Sequence, residues 1–226
     1  MHMNYNAVIF DLDGVITDTA RYHYLGWKKL ADELRVYFNE EINERLRGVS
    51  RMESLAILLE RDTTPRSEED KVQLATRKNE YYVQMLREKM SPEDILPGAL
   101  DCLEELRKRR IATALNSASR NAPFVLEKLN LGSAFDYVVD AAAIVNGKPH
   151  PESFLDAAAG LKVIPERCIG VEDAAAGIES IKTAGMFAVG VGNPETVKKA
   201  DLILKDMTEY PEILKRLENG TGGLQP

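Results

Sequence analysis

Apolar residues fall into two kinds of pattern along this chain. Short continuous runs occur at residues 7–10, 111–115, 137–139, 168–171 and 187–191, with a weaker one at 202–204. Unbroken apolarity over a strand's length is expected where a parallel sheet is covered on both faces. Between most of these runs the spacing turns helical: Leu100, Leu103 and Leu106 mark one helix, Val125, Leu126 and Leu129 the next, and Phe154, Leu155 and Ala158 a third. A fourth runs from Ala174 to Ala184 and is closed by Gly185, a usual helix-ending residue. Strand alternating with helix predicts an α/β fold, a doubly wound Rossmann-like parallel sheet.

One stretch breaks the rhythm. From about residue 20 to 89 there is no convincing strand, and helical patterns run through 22–34, 40–47, 52–61 and 67–89. The expected organisation is an α/β core of residues 1–19 and 90–226, split after its first strand by a small helical cap at 20–89. Ligands of open α/β sheets bind beyond the carboxyl ends of the strands, so this insertion is placed to cover whatever sits there. The tail "NGTGGLQP" and His2 read as frayed ends.

Composition narrows the class. At 226 residues, the chain suits one domain with an insertion. Its net charge of -7 speaks against general nucleic-acid binding, which needs a basic face. No apolar run approaches the ~18 residues of a membrane span, and the N-terminus has no secretory pattern. Cys102 and Cys168 sit in apolar patterns and read as buried reduced thiols, and no cysteine–histidine cluster has zinc spacing. The expectation is a cytoplasmic monomer acting on a small molecule, without nucleic-acid or membrane partners.

The chemistry gathers at strand ends. The first strand ends in "DLDG", with Asp11 and Asp13 two positions apart, a spacing that would put both on one face of an extended strand unless the chain bends at Gly14. Two adjacent buried carboxylates repel, so a cation or a proton must balance them. "NSASRN" follows the second strand, "NGKPHP" the third by a few residues, and "EDAAAG" the fourth. One sheet edge would then hold Asp11, Asp13, Glu172 and Asp173, with Lys148, Ser117 and Ser119. Oxygen ligands of this kind suit magnesium, which shares its shell with water and phosphate. A carboxylate can attack a phosphoryl group to give an aspartyl-phosphate, and a second can act as general acid and base.

"DLDGVITDT", a serine after strand two, Lys-Pro after strand three and "GVEDAAAG", in that order, closely resemble the haloacid dehalogenase-like (HAD) superfamily over nearly the whole chain. The resemblance implies that Asp11 is the nucleophile and Asp13 the acid/base, that Ser117 and Lys148 hold the transferred phosphoryl group, and that Asp11, the Asp13 carbonyl, Glu172 and Asp173 hold Mg2+.

The insertion further resembles the helical cap of hexose-phosphate mutases in that superfamily. "TDTARYHYLGWKKLA" brings Thr19, His23 and Trp27; "LRGVSRMESL" brings Gly48, Val49, Ser50, Arg51 and Ser54; "RKNEYY" brings Lys78; and "SASRNAP" brings Ser119, Arg120 and Asn121. This likeness implies an isomerase-class phosphomutase. It would interconvert β-glucose 1-phosphate and glucose 6-phosphate, with β-glucose 1,6-bisphosphate as activator and intermediate. Arg51, Ser119 and Asn121 would hold the non-reacting phosphate, and His23 would couple sugar binding to Asp13. Packing roles for His23 and Trp27 and solvated roles for Lys78 and Arg120 stand beside these readings. Asn116 and Gly147 depart from the mutase pattern and bear on substrate preference. The rival functions are a sugar-phosphate or phosphoglycolate phosphatase on the same core, and a non-catalytic phosphosugar sensor.

Overall fold

The computed structural model of the chain describes residues 5–46 and 49–218. Gly48, His2 and the tail from 219 lie outside the described residues. Strand β1 (Ala7–Phe10) is followed by four helices, α1 (Ala20–Leu34), α2 (Glu40–Glu44), α3 (Arg51–Leu58) and α4 (Glu68–Lys89). Then come α5 (Ala99–Lys108), β2 (Ala112–Leu115), α6 (Ala122–Lys128), β3 (Tyr137–Val138), α7 (Glu152–Leu161), β4 (Cys168–Glu172), α8 (Ala175–Thr183), β5 (Phe187–Val191), β6 (Leu202–Leu204) and α9 (Pro211–Glu218). The strands form one six-stranded sheet in the order β3-β2-β1-β4-β5-β6, parallel throughout. The chain runs outward from β1 to β3 and then crosses back to β4. This reversal opens a crevice at the carboxyl end of β1.

Alternation along the strands sorts the core into two faces. Val8, Phe10, Leu115, Ile169, Val171 and Val189 face one way, against Cys102, Leu103 and Leu106 of α5, Val125 and Leu126 of α6, and Ile213 and Leu217 of α9. Small residues dominate the other face, with Ala7, Ala114 and Ala188 under Phe154 and Ala157 of α7 and Ile178 and Ile181 of α8. The approach there is close enough that a Cβ on Gly170 would lie 2.6 Å from Ile181. Helices α1, α3 and α4 share a separate core of Trp27, Leu30, Leu55, Leu58 and Leu74. Tyr22, Tyr82 and Leu86, at the base of α1 and α4, root the insertion in the first core.

Two apolar positions that mark helices in the sequence prove exposed: Leu100 at 44% and Leu155 at 40%. Each lies in the first turn of its helix, where the residue is turned away from the sheet. Cys102 and Cys168 are free and buried, and burial pushes each thiol up to about 12. Among the described residues no helix is long and apolar enough to cross a membrane.

Candidate active site

Asp11 directly follows β1, and its N–H donates to the Val171 carbonyl at 2.9 Å. Lys148 Nζ lies 2.6 Å from Asp11 Oδ1 and 2.6 Å from Glu172 Oε1, and reaches the Asn116 carbonyl at 3.3 Å. The second Glu172 oxygen accepts the Ala174 N–H at 2.8 Å. Burial pushes the Asp11 carboxyl well above its ordinary value, Lys148 opposes the rise, and Glu172, Asp13 and Asp173 add to it. Burial acts to lower the Lys148 ammonium, but Asp11 and Glu172 together outweigh it and raise that group.

Two glycines make this packing possible. Gly14 has φ +79°, and a Cβ there would lie 2.1 Å from Asp173 Oδ2. A Cβ on Gly177, in the first turn of α8, would lie 1.9 Å from Glu172 Oε1. The motif glycines thus let two acids fold over bare backbone.

Oxygen atoms of Asp11, Glu172 and Asp173 all lie within 4.8 Å of one another. The set is all oxygen and carries more acid than Lys148 neutralises, which fits a hard divalent cation.

Asp13 shares the cavity with Asp11 and adds to the rise of the Asp11 carboxyl. β1 ends at Phe10, and the turn beyond bends at Gly14. The Asp13 N–H donates to Asp11 Oδ2 at 2.9 Å. Its own Oδ1 accepts from the Thr19 N–H at 3.2 Å and from the Thr19 hydroxyl. Thr19 thus links Asp13 directly to the start of α1.

His23 faces Lys78 across α1 and α4. Its Nδ1 lies 2.7 Å from Lys78 Nζ, and its ring stacks on Tyr82 at 4.0 Å. Burial, then Lys78 and Arg51, hold the imidazole well below its ordinary value. Lys78 is 2% exposed and 4.7 Å from the Trp27 ring centroid. Burial, then Arg51, lower its ammonium to about 7. Gly26 opens the space, since a Cβ there would lie 3.2 Å from Lys78 Cε.

Helix α3 begins with a capping box in which Ser50 and Glu53 satisfy each other's backbone N–H. Ser50 is thereby spent on the helix, and Arg51 and Ser54 occupy one face. Burial, then Arg120, hold the Arg51 guanidinium below its ordinary value. Among the described residues neither Arg51, Arg120 nor Lys78 forms an ion pair with an acid. Opposite them, the Ser119 N–H donates to Ser117 Oγ at 3.1 Å, and the Asn121 N–H to Ser119 Oγ at 3.3 Å.

One cavity of about 580 Å³ joins the two regions. Asp11, Asp13, Lys148, Glu172, Asp173 and Ser117 line one end. His23, Trp27, Val49, Arg51, Ser54, Lys78, Ser119, Arg120 and Asn121 line the remainder. Of the residues expected from the sequence, Gly48 alone lies outside the described residues. Trp27 serves both as cavity wall and as insertion core. Asn116 is buried beside Asp11, and Gly147 is exposed. Sequence reasoning missed Asn79 of α4, whose Oδ1 accepts from Asn121 Nδ2 at 2.7 Å and so links insertion to core. It sits directly after Lys78, and only the packing of α4 against α6 reveals it.

A profile of the family described as haloacid dehalogenase-like hydrolase matches residues 5–185. The chain is 47% identical over 205 residues to the β-phosphoglucomutase of Bacillus subtilis, covering 90% of each. It is 33% identical over 183 residues to a phosphorylated carbohydrates phosphatase of Thermotoga maritima, covering 80% of this chain and 82% of the relative. A crystal structure of β-phosphoglucomutase from Clostridium difficile superposes with a TM-score of 0.91 at 46% identity, over 96% of this chain and 98% of that one.

Proposed function

The chain belongs to the haloacid dehalogenase-like family, and from that membership we propose that it is a β-phosphoglucomutase, converting β-glucose 1-phosphate to glucose 6-phosphate through β-glucose 1,6-bisphosphate. One observation carries the reading. The cavity has an acid–lysine end suited to phosphoryl transfer, and a basic cluster of Arg51, Arg120 and Lys78 that forms no ion pair within 4.0 Å among the described residues. A sugar phosphorylated at both ends supplies an anion for each, and turning it end for end presents the other oxygen to the same aspartate.

Asp11 attacks the phosphoryl group, and Lys148 and Ser117 hold its oxygens. The leaving sugar oxygen takes a proton from Asp13, and Asp13 takes one back from the other sugar hydroxyl when that hydroxyl attacks the aspartyl-phosphate. Asp11, the Asp13 carbonyl, Glu172 and Asp173 would hold magnesium, which would supply neutralisation of the phosphoryl charge. Arg51, Ser119 and Asn121 hold the non-reacting phosphate through charge-assisted bonds. The Thr19 link ties the Asp13 carboxylate to α1, so movement of the helical insertion over the sugar sets when the acid/base is released. Closure also excludes water, which would otherwise hydrolyse the aspartyl-phosphate.

The test follows sugar and phosphate together by phosphorus NMR, starting from each anomer of glucose 1-phosphate with magnesium and bisphosphate. Glucose 6-phosphate from the β anomer without matching inorganic phosphate supports the mutase. Steady release of inorganic phosphate supports the phosphatase reading, which the Thermotoga maritima relative keeps in play.

A further inference from the structure

Lys148 is buried, but the loop that carries it is not. Asn146, Gly147, Pro149 and His150 are exposed, and Val145 is 85% exposed. Apolar packing therefore does not fix this segment. A Cβ added to Gly147 would meet nothing within 4 Å, so steric confinement does not fix it either. Yet the lysine at its centre is held at 2.6 Å from two different carboxylates.

The fixing is done by Glu152, the first residue of α7. Its Oε1 accepts the Val145 N–H at 2.7 Å. Its Oε2 accepts the Asn146 N–H at 2.9 Å and Asn146 Nδ2 at 2.8 Å. One carboxylate thus closes the loop onto the helix just beyond it, with Lys148 inside the closed segment. The His150 N–H to Gly147 carbonyl bond, at 3.0 Å, tightens the turn. Ser180 Oγ anchors the His150 carbonyl to α8 at 2.8 Å. Three donors on two oxygens call for an acceptor-only group, and the start of a helix favours negative charge. The Val145 and Asn146 donors hold the Glu152 carboxyl below its ordinary value.

We propose that Glu152 is a positioning residue for phosphoryl transfer: by clamping residues 145 and 146 it fixes where Lys148 meets the transferred group. The inference rests on reading Lys148 as the cation that holds that group. It also explains Asn146, whose side chain supplies the third donor to the clamp.

The experiment compares Glu152→Gln, Glu152→Ala and Glu152→Asp with the unmodified protein. Turnover is measured with acetyl phosphate and with β-glucose 1-phosphate, alongside thermal unfolding. Gln keeps the size but turns one acceptor into a donor facing another donor. A displacement of about an ångström at a reacting group costs on the order of 10²-fold. Gln and Ala should therefore lower kcat for both substrates by about 10- to 100-fold. KM for β-glucose 1-phosphate should stay within about twofold, because the distal phosphate contacts are untouched. Asp should recover part of the loss, and Tm should hold within a few degrees. Undiminished kcat in Glu152→Gln overturns the proposal. So does a loss that tracks Tm, with no recovery in Asp. If the unmodified protein consumes acetyl phosphate but does not isomerise the sugar, and Glu152→Gln slows that consumption, the clamp stands and the mutase reading falls.

Discussion

Asp11 and Lys78 show how far single residues can be read in advance. The acid was legible because four motifs in order resemble the haloacid dehalogenase-like superfamily, and that resemblance implies Asp11 as the nucleophile. Asp11→Asn should fold normally and lose turnover, since an amide cannot form an acyl phosphate; intact-mass measurement after acetyl phosphate treatment should show no phosphoryl adduct. Lys78 was ambiguous in sequence, because a lysine in a charged helix is usually solvated. Its burial beside His23, Trp27 and Tyr82 decides the matter, lowering its ammonium from 10.5 to about 7. Between those values the unfolded chain binds a proton that the folded one does not, so the cost of burial is full below 7 and fades as pH rises to 10.5. Lys78→Met should therefore stabilise the fold most near pH 6. Its advantage should shrink by up to about 1.4 kcal/mol per pH unit across that window, as denaturant melts at several pH values would show. The same variant should bind sugar phosphate more weakly.

At the scale of elements, the strands and long helices followed from periodicity, and the misses lie at their ends. The second strand begins at Ala112 rather than Ile111, because Arg110 turns with φ 58° just before it. Loop and helix N-termini carry the site, and there the close approach of side chain to backbone is the controlling fact. Gly177 gives the sharpest case. Gly→Ala inside a helix ordinarily gains about 1 kcal/mol, but here the methyl would meet Glu172 Oε1 at 1.9 Å. Gly177→Ala should displace Glu172 from Lys148 and weaken magnesium activation by about tenfold or more, the scale seen when supporting contacts around a metal site are removed. Magnesium titration of turnover checks this; activation equal to the unmodified protein's would refute the assigned contact.

The whole molecule brings two oppositely charged regions into one cavity, and neither the sheet nor the helical insertion does so alone. Arg51 and Arg120 line the same cavity, and the charge of Arg120 helps hold the Arg51 guanidinium below its ordinary value. Arg51→Ala should raise KM for β-glucose 1-phosphate by about 10- to 100-fold, the worth of charge-assisted hydrogen bonds. Turnover of acetyl phosphate, which has no distal phosphate, should change little; steady-state kinetics with both donors separates the outcomes. The Asn79–Asn121 bond spans the same gap. A double-mutant cycle on the two asparagines should give a coupling of about 0.5–1.5 kcal/mol, read from denaturant unfolding.

The sequence by itself determined the layered α/β architecture and the run of helices after the first strand, because strand and helix periods are local properties set by neighbours along the chain; the acids, serine and lysine of the proposed transfer chemistry came from the order of motifs that resembles the family. Only the tertiary structure decided that Lys78 is a buried cation, that Thr19 holds Asp13, that Asn79 bridges to Asn121, and that Glu152 clamps the Lys148 loop. Each depends on burial or on partners from another part of the fold, and desolvation and hydrogen-bond geometry are fixed only when those parts meet.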